Sequence, residues 1–538
     1  MSSGLQPSKK KAWLLLVAPV VFLCLHALFS QARGPFFLPL NYDPDYAYLL
    51  NGLNIVNGAA PEHLDHPGTS LQLFAAACIK LANIRSSSDA TIMAVLAGSE
   101  SYLRAMNSAL MSLYALALLF VGAVVWRKTG SIAAALLLQV TPFLLPEDFY
   151  EIARFRPESI ILIVVFLMAA TLYIHALRED RESLGSIVWM SFLVATGLIT
   201  KINFLPLVLL PLFCLRSWRN RAGYIVLTGT FAAIWLLPLK PRFKEFIVWT
   251  TGLITRQGRY GTGEPGFLPP HYFEFLAQLF VARPMFFLTL WLSLAALAYA
   301  WGWRRKGTNP QEARLIKLLI GVVVVQIGEY LMVGKFEQAR YLIPAMALCG
   351  LNWVILLTLI RHWGKKPIEL LWLRLACISA GSIFAVWSGL KTGHACIQMA
   401  NVRDEHRAMA RELETNFADK TVVYYYGCSS RYHALWFGNT YAGHRYGKVI
   451  IAELFPNHSP AYIVEELPHR VNWYSVAGPD IPLKQRIEQG ETIFLAGQEW
   501  PAALEKQFFV FLPNDVSIDK VRAQAGEAIY RVKRLSPL

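Results

Sequence analysis

Between Asn41 and Thr69 the chain reads NYDPDYAYLLNGLNIVNGAAPEHLDHPGT, a polar stretch among long apolar runs that carries Asp43, Asp45, Glu62, Asp65 and the histidines His63 and His66. Carboxylates in such a place can take protons from weak acids or hold a metal ion. Two acids without a further ligand set are too few for a metal site, so no metal is expected. Pro44 fixes the backbone between Asp43 and Asp45, and its ring biases Asp43 toward an extended conformation, which aims the two carboxyls differently.

Polar residues interrupt apolar sequence again further along. Glu147, Asp148, Glu151, Arg154, Arg156 and Glu158 form one group, and Lys201 stands alone. Lys240, Arg242, Lys244, Arg256, Arg259 and His271 fall in the long loop 240–283, and Lys335, Glu337, Arg340 and Tyr341 close the series. Guanidinium forks bind phosphate oxygens in pairs, so cations gathered with acids on one face ask for an anionic ligand such as a lipid phosphate. Any one of these cations would serve equally well against anionic headgroups. Their grouping favours a site.

The elements that must position these residues are membrane helices. The 538 residues are 55% hydrophobic and 16% charged, with a mean hydropathy of +0.38, the composition of an integral membrane protein. Many apolar stretches approach the roughly 20 residues that cross a bilayer as a helix, and the alternation of a transmembrane barrel is absent. The formal net charge is +15, but much of the Lys and Arg clusters in short loops between spans, where topology accounts for it. Nucleic acid is not an expected partner.

Lys9, Lys10 and Lys11 precede the first apolar run, Ala12 to Ser30, which puts the amino terminus in the cytoplasm and the first polar loop outside. A signal peptide cleaved near Ser30-Gln31-Ala32 is the alternative, and it leaves Asp43 on the same side. Thr69 to Ala82 is short and contains Gln72 and Lys80; a crossing there would invert every later basic loop, so it is read as an interfacial helix. Spans then fall near 102–126, 131–146, 158–177, 186–200, 202–215, 222–239, 284–303, 315–333, 341–360 and 369–390, about eleven with the first. The cytoplasmic turns collect Arg178 and Arg181; Arg216, Arg219 and Arg221; Arg304, Arg305 and Lys306; and Arg361, Lys365 and Lys366. The two halves around Lys201 are short; one long helix would fit their length but would expel three arginines to the outside. All the polar groups above then share the outer face.

The expected architecture is a polytopic α-helical membrane module over residues 1–390, with interfacial helices in its first outer loop, followed by an extracytoplasmic α/β domain over 391–538. In that tail the apolar runs are short and β-rich (Thr421 to Gly427, Glu491 to Ala496, Gln507 to Leu512, Ala528 to Val532), and Asn401 to Phe417 reads as helix. The tail's Tyr424, Tyr425, Tyr426, Tyr432, Trp436, Phe437 and Tyr441 suit core packing better than an acceptor groove. Seven cysteines show no CxxC spacing; Cys396 and Cys428 are the one pair open to a disulfide.

In order along the chain, Asp43-Pro44-Asp45, Asp65-His66-Pro67, Thr141-Pro142 leading to Arg156-Pro157-Glu158 before a span, Thr200-Lys201, and Arg340-Tyr341-Leu342-Ile343-Pro344 opening another span resemble the signature of GT-C fold glycosyltransferases. The nearest branch contains protein mannosyltransferases and the aminoarabinose transferases of lipid A. The resemblance covers roughly residues 10 to 390. Many relatives read Asp-His-Pro-Pro or Lys-Pro-Pro where this chain has Asp65-His66-Pro67-Gly68, and an Asp where Glu158 stands.

The resemblance implies transfer of a sugar, with inversion, from a polyprenyl-phosphate-sugar donor to an acceptor hydroxyl on the outer side of the membrane. A departing lipid phosphate, with a second pKa of about 6, needs no proton, and preorganised cations can meet its developing charge. The acceptor hydroxyl needs a carboxylate within hydrogen-bond reach. Asp43 is the expected base, with Asp45 as the alternative base or as a partner that orients acceptor hydroxyls. Lys201, Arg340 and His66 are the expected phosphate ligands, Arg256 and Arg259 lid residues, and Arg156 and Tyr341 further binding residues, with Glu158 orienting a cation. No cofactor is expected, and the partners are the lipid-linked donor, the bilayer and an acceptor that is a glycan, a lipid or a protein. By the same analogy the chain sits in a bacterial inner membrane with its tail in the periplasm. The rival reading is a transporter or flippase of a polyprenyl-linked or other anionic lipid; against it, no pair of broken apolar segments repeats in two halves.

Overall fold

The computed structural model describes residues 9–39, 41–65, 68–144, 149–152, 154–178, 182–257, 261, 263–303, 309–363, 367–425, 427–454, 462–467, 470–475, 483–499 and 515–535. Helices run in the order α1 (Val17–Arg33), α2 (Tyr42–Val56), α3 (Thr69–Ala82), α4 (Ser88–Ala97), α5 (Ser99–Thr129), α6 (Ile132–Gln139), α7 (Phe149–Ile152), α8 (Pro157–Leu177), α9 (Leu184–Thr200), α10 (Leu210–Cys214), α11 (Trp218–Trp235), α12 (Phe243–Thr255), α13 (Tyr272–Ala282) and α14 (Pro284–Trp303). They continue as α15 (Pro310–Phe336), α16 (Ile343–Ala347), α17 (Cys349–Trp363), α18 (Pro367–Asn416), α19 (Arg431–Tyr441), α20 (Gly447–Val449) and α21 (Leu483–Glu488). Several starts are legible as caps. Ser87, Ser131, Ser183, Ser217, Asn309 and Ser430 each accept from the backbone N–H three residues on, which satisfies an otherwise orphaned donor. Pro157 and Pro310 stand in the first turn, where the missing N–H costs nothing.

Among the described residues, six helices are long and apolar enough to cross a membrane: Lys11–Arg33, Ser99–Thr129, Pro157–Leu177, Pro284–Gly302, Pro310–Phe336 and Ala339–Trp363. A seventh is reached if Trp218–Trp235 and Leu237–Thr255, bent by 72°, form one span. The chain is a multi-pass membrane protein. Among the described residues, the expected span 131–146 and the stretch 186–215 are not single long helices. There α6 gives way to a 3-10 turn, Thr141–Leu144, and α9 stops at Thr200 before the 3-10 segment Ile202–Leu209 and α10. Pro142, Pro206 and Pro211 remove backbone donors in these stretches. The final expected span, 369–390, lies in α18, which continues without interruption to Asn416.

The chain divides into two compact units. The first comprises Met1–Leu28, Leu64–Leu73 and Asn107–Ala395, and is a helical bundle in which α9 packs on α8 and α11, and α15 on α8, α10, α14 and α17. Inside it, Gln326 and Asn352 exchange carboxamide hydrogen bonds of 3.1 Å, and Asn352 Nδ2 donates to Ser293 Oγ at 2.9 Å. This ladder joins α14, α15 and α17. At the end of α9, the Phe204 ring fills the place of the side chain that Gly197 lacks: a Cβ there would lie 2.6 Å from the ring.

The second unit comprises Phe29–His63, Phe74–Met106 and Cys396–Leu538. It holds a six-stranded mixed sheet, order β3-β2-β1-β4-β6-β5, built from β1 (Thr421–Tyr424), β2 (Tyr462–Leu467), β3 (Arg470–Ser475), β4 (Ile493–Gln498), β5 (Val516–Gln524) and β6 (Glu527–Arg534). β1 lies parallel to β2 and β4, and the remaining pairs are antiparallel. Strands β1, β4 and β6 overlap the expected runs beginning at 421, 491 and 528; 507–512 lies outside the described residues. Val423, Tyr425, Ile487, Ile493, Leu495, Ala528, Tyr530 and Val532 form a core beside the sheet. Tyr424, Tyr425, Tyr432 and Trp436 are buried, which is core packing. Cys396 and Cys428 are both buried free thiols, so the disulfide left open by the sequence is not formed.

The first polar loop, as far as His63, belongs to this second unit through α2, which packs along α19. Asn51 Nδ2 donates to Tyr441 O at 2.9 Å and Asn54 Nδ2 to Ala442 O at 3.2 Å, while Tyr446 Oη donates to Asn54 Oδ1 at 2.7 Å. Gly438 permits the approach, since a Cβ there would meet Tyr46 O at 2.8 Å. The Glu100 carboxylate braces the other side. It accepts from the backbone of Phe36 and Phe37 and from Tyr46 Oη, each at 2.9 Å.

Candidate functional site

In the helical unit, five of the expected residues come together at helix ends: Arg156 and Glu158 where α8 begins, Lys201 where α9 stops, and Arg340 and Tyr341 in the 3-10 turn Ala339–Leu342 before α16. Lys201 Nζ lies 2.5 Å from Glu158 Oε1 and 4.3 Å from the centroid of the Tyr341 ring. Arg340 reaches toward the same ring at 5.7 Å, and its Nη1 stands 3.8 Å from Glu151 Oε2. Arg156 Nη1 pairs with that same oxygen of Glu151. The Tyr341 ring thus lies near both an ammonium and a guanidinium, contacts that the ring quadrupole favours.

The cluster is graded in exposure. Lys201 and Glu158 are sealed, whereas Arg340 and Glu151 keep 31% and 19% of their side chains exposed, so the cluster opens on the Arg340 side. Tyr150 and Asn203 complete it and are not singled out by the sequence. Tyr150 Oη accepts from Arg154 Nη1 at 2.8 Å and its ring lies below both Arg154 and Arg156. Asn203 Nδ2 donates to Tyr341 O at 2.8 Å. Tyrosine and asparagine are too common at membrane boundaries for their positions to have marked them. Among the described residues, Arg154, Arg156, Lys201 and Arg340 gather here with Glu151 and Glu158; cations so grouped are suited to an anion. Next to it, Ser70 at the start of α3 shares a 2.6 Å hydrogen bond with Thr200.

Arg256 caps α12 and forms a two-residue bridge with Pro265; its side chain is exposed, and among the described residues no ion pair joins it to the cluster. His66 and Arg259 lie outside the described residues. No group of three or more His, Cys, Asp or Glu among the described residues could hold a metal ion.

The two expected acids are in the second unit and differ sharply. Asp43 has extended, non-helical backbone (φ −96°, ψ 121°) and is exposed, whereas Asp45 is fully buried in the first turn of α2. The conformation at Asp43 is the one that a following proline favours. Its neighbour Tyr42 is fixed on two sides: Tyr42 Oη accepts from the Gly427 N–H at 2.8 Å, and its ring meets His433 and Phe437 edge-on at centroid distances of 5.4 and 4.8 Å. Burial lowers the His433 imidazole from its ordinary range to about 4, so this ring is neutral at physiological pH.

Neither a protein-family model nor a curated protein matches the sequence. Among solved structures, the chain is similar to crystal structures of ArnT from Cupriavidus metallidurans, one bound to undecaprenyl phosphate and one in the apo state. Identity is 14% and 13%, the TM-score is 0.48 for both, and the match covers 97% of this chain and 98% of each of those.

Proposed function

We propose that the chain is a glycosyltransferase that moves a sugar from a polyprenyl-phosphate-sugar donor to an acceptor hydroxyl, with inversion, on the extracytoplasmic side of a bacterial inner membrane. The observation that carries this reading is the cation cluster at the helix ends, in which Arg156, Lys201 and Arg340 gather with Glu151, Glu158 and Tyr341. A sugar-bearing phosphodiester has one negative charge; the phosphate it leaves behind carries about −1.5 to −2. Such a cluster therefore favours the leaving group over the bound donor, and the difference lowers the barrier to glycosidic cleavage. Proton removal from the acceptor hydroxyl is assigned to Asp43, the exposed member of the acid pair, as a general base.

The cluster also speaks against a lipid flippase. Its members occupy the ends of α8, α9 and the helix opening at Ala339, and no second, repeated set stands at mid-span among the described residues, as alternating access would call for. The test is transfer of radiolabelled sugar from undecaprenyl-phosphate donors in reconstituted vesicles. Asp43→Asn is expected to abolish transfer and leave undecaprenyl phosphate binding intact. Movement of the lipid between leaflets by wild-type protein, without sugar transfer to any acceptor, would reverse the assignment.

A further inference from the structure

We propose that Asn203 is a positioning residue of the anion site, clamping the Lys201 turn to the Arg340-Tyr341 turn; the inference rests on the phosphate-binding reading of that cluster. Each turn is closed on itself. Phe204 N donates to Lys201 O at 3.0 Å, and Tyr341 N donates to Gln338 O at 3.0 Å. Arg340 Nε adds a 2.7 Å hydrogen bond to Gln338 Oε1. Asn203 and Tyr341 are 138 positions apart, and the 2.8 Å bond from Asn203 Nδ2 to Tyr341 O ties the two turns directly.

The Lys201 turn thus meets Tyr341 twice, through the carboxamide on its backbone and through the ammonium on its ring. That double contact sets where Lys201 stands relative to Arg340. Asn203 is 3% exposed and its Oδ1 meets no protein donor. Packing alone does not account for a carboxamide here, because an aliphatic side chain of the same volume would fill the place without burying an unanswered acceptor. The retained feature is the Nδ2 donor. Cations that must meet one phosphate lose much of their effect when displaced by about 1 Å.

The test uses the full-length protein in detergent and two probes, undecaprenyl phosphate and inorganic phosphate. Asn203→Ala is expected to weaken binding of both by about fivefold to tenfold. In a background carrying Lys201→Met and Glu158→Gln together, the same substitution is expected to change affinity less than about twofold, because its effect passes through Lys201. Equal losses in both backgrounds, or a loss confined to the lipid, would overturn the role assigned to Asn203. If the alanine variant does not fold, Asn203→Leu carries the same expectation; failure of both to fold while the Lys201→Met, Glu158→Gln background folds would also overturn it. Wild-type protein that binds neither probe would instead overturn the anion-site reading itself.

Discussion

Lys201 Nζ and Glu158 Oε1 stand 2.5 Å apart with 4% and 5% of their side chains exposed, an ion pair closed off inside the helical unit. Lys201→Met leaves Glu158 as a buried, uncompensated charge, and the expected cost is about 3–5 kcal/mol. Adding Glu158→Gln is expected to recover most of that stability while phosphate affinity stays measurable but weaker than in the wild type. Thermal unfolding in detergent measures the first effect and ligand titration the second; additive losses in the double variant would show that the two groups are not coupled.

Arg340 is the exposed side of the cluster. Arg340→Lys keeps the charge but loses the planar fork, so affinity for undecaprenyl phosphate is expected to fall by about 1.5–3 kcal/mol, the range for a hydrogen bond to a charged group. Arg340→Ala should fall further. Equal affinity in the lysine variant would mean that the guanidinium serves only as a point charge.

The clamp on Tyr42 lies one residue before the proposed base. Tyr42→Phe removes the acceptor of the Gly427 N–H, and a buried amide left without its partner costs about 1–3 kcal/mol. Turnover is expected to fall along with stability, and Asp43→Asn in the Tyr42→Phe background should add little further loss of stability. Unchanged unfolding in the single variant would show that the Gly427 contact is unimportant.

His433 gives a pH signature. Its folded value of about 4 lies below the ordinary 6.5, so as pH falls through that window the unfolded chain takes up the proton first and stability drops; the contribution is fully present above about 6.5. His433→Phe should flatten unfolding temperature between pH 6.5 and 4. A wild-type profile that is already flat there would contradict the neutral, buried ring.

Much of the site was legible because charge is conspicuous at the boundary of an apolar run. Arg156, Glu158, Lys201, Arg340 and Tyr341 all stand at such boundaries, and the structure brings them together. What escaped notice works through neutral groups. Nothing in the spacing of Asn51 and Asn54 announces that their partners are the backbone carbonyls of Tyr441 and Ala442, although these bonds draw the first loop into the unit that holds the sheet. β2, β3 and β5 escaped for a similar reason. Their sequences YIVEEL, RVNWYS and VSIDKVRAQ mix charge with short apolar pairs, and β3 and β5 are edge strands of the sheet, where one side needs no apolar neighbour. The breaks within 131–146 and 202–215 have another cause: hydropathy registers apolar content, whereas Pro142, Pro206 and Pro211 decide whether that content stays in one continuous helix.

The amide ladder of Gln326, Asn352 and Ser293 has a mechanical consequence. In lipid the tails are as apolar as leucine, so greasy contact alone does little to stop neighbouring helices from sliding past each other. Moving α15 by a single residue against α17 would break both hydrogen bonds between Gln326 and Asn352 at once. The ladder therefore acts as a detent between α14, α15 and α17: it resists axial slip of the helices on either side of the Arg340 turn.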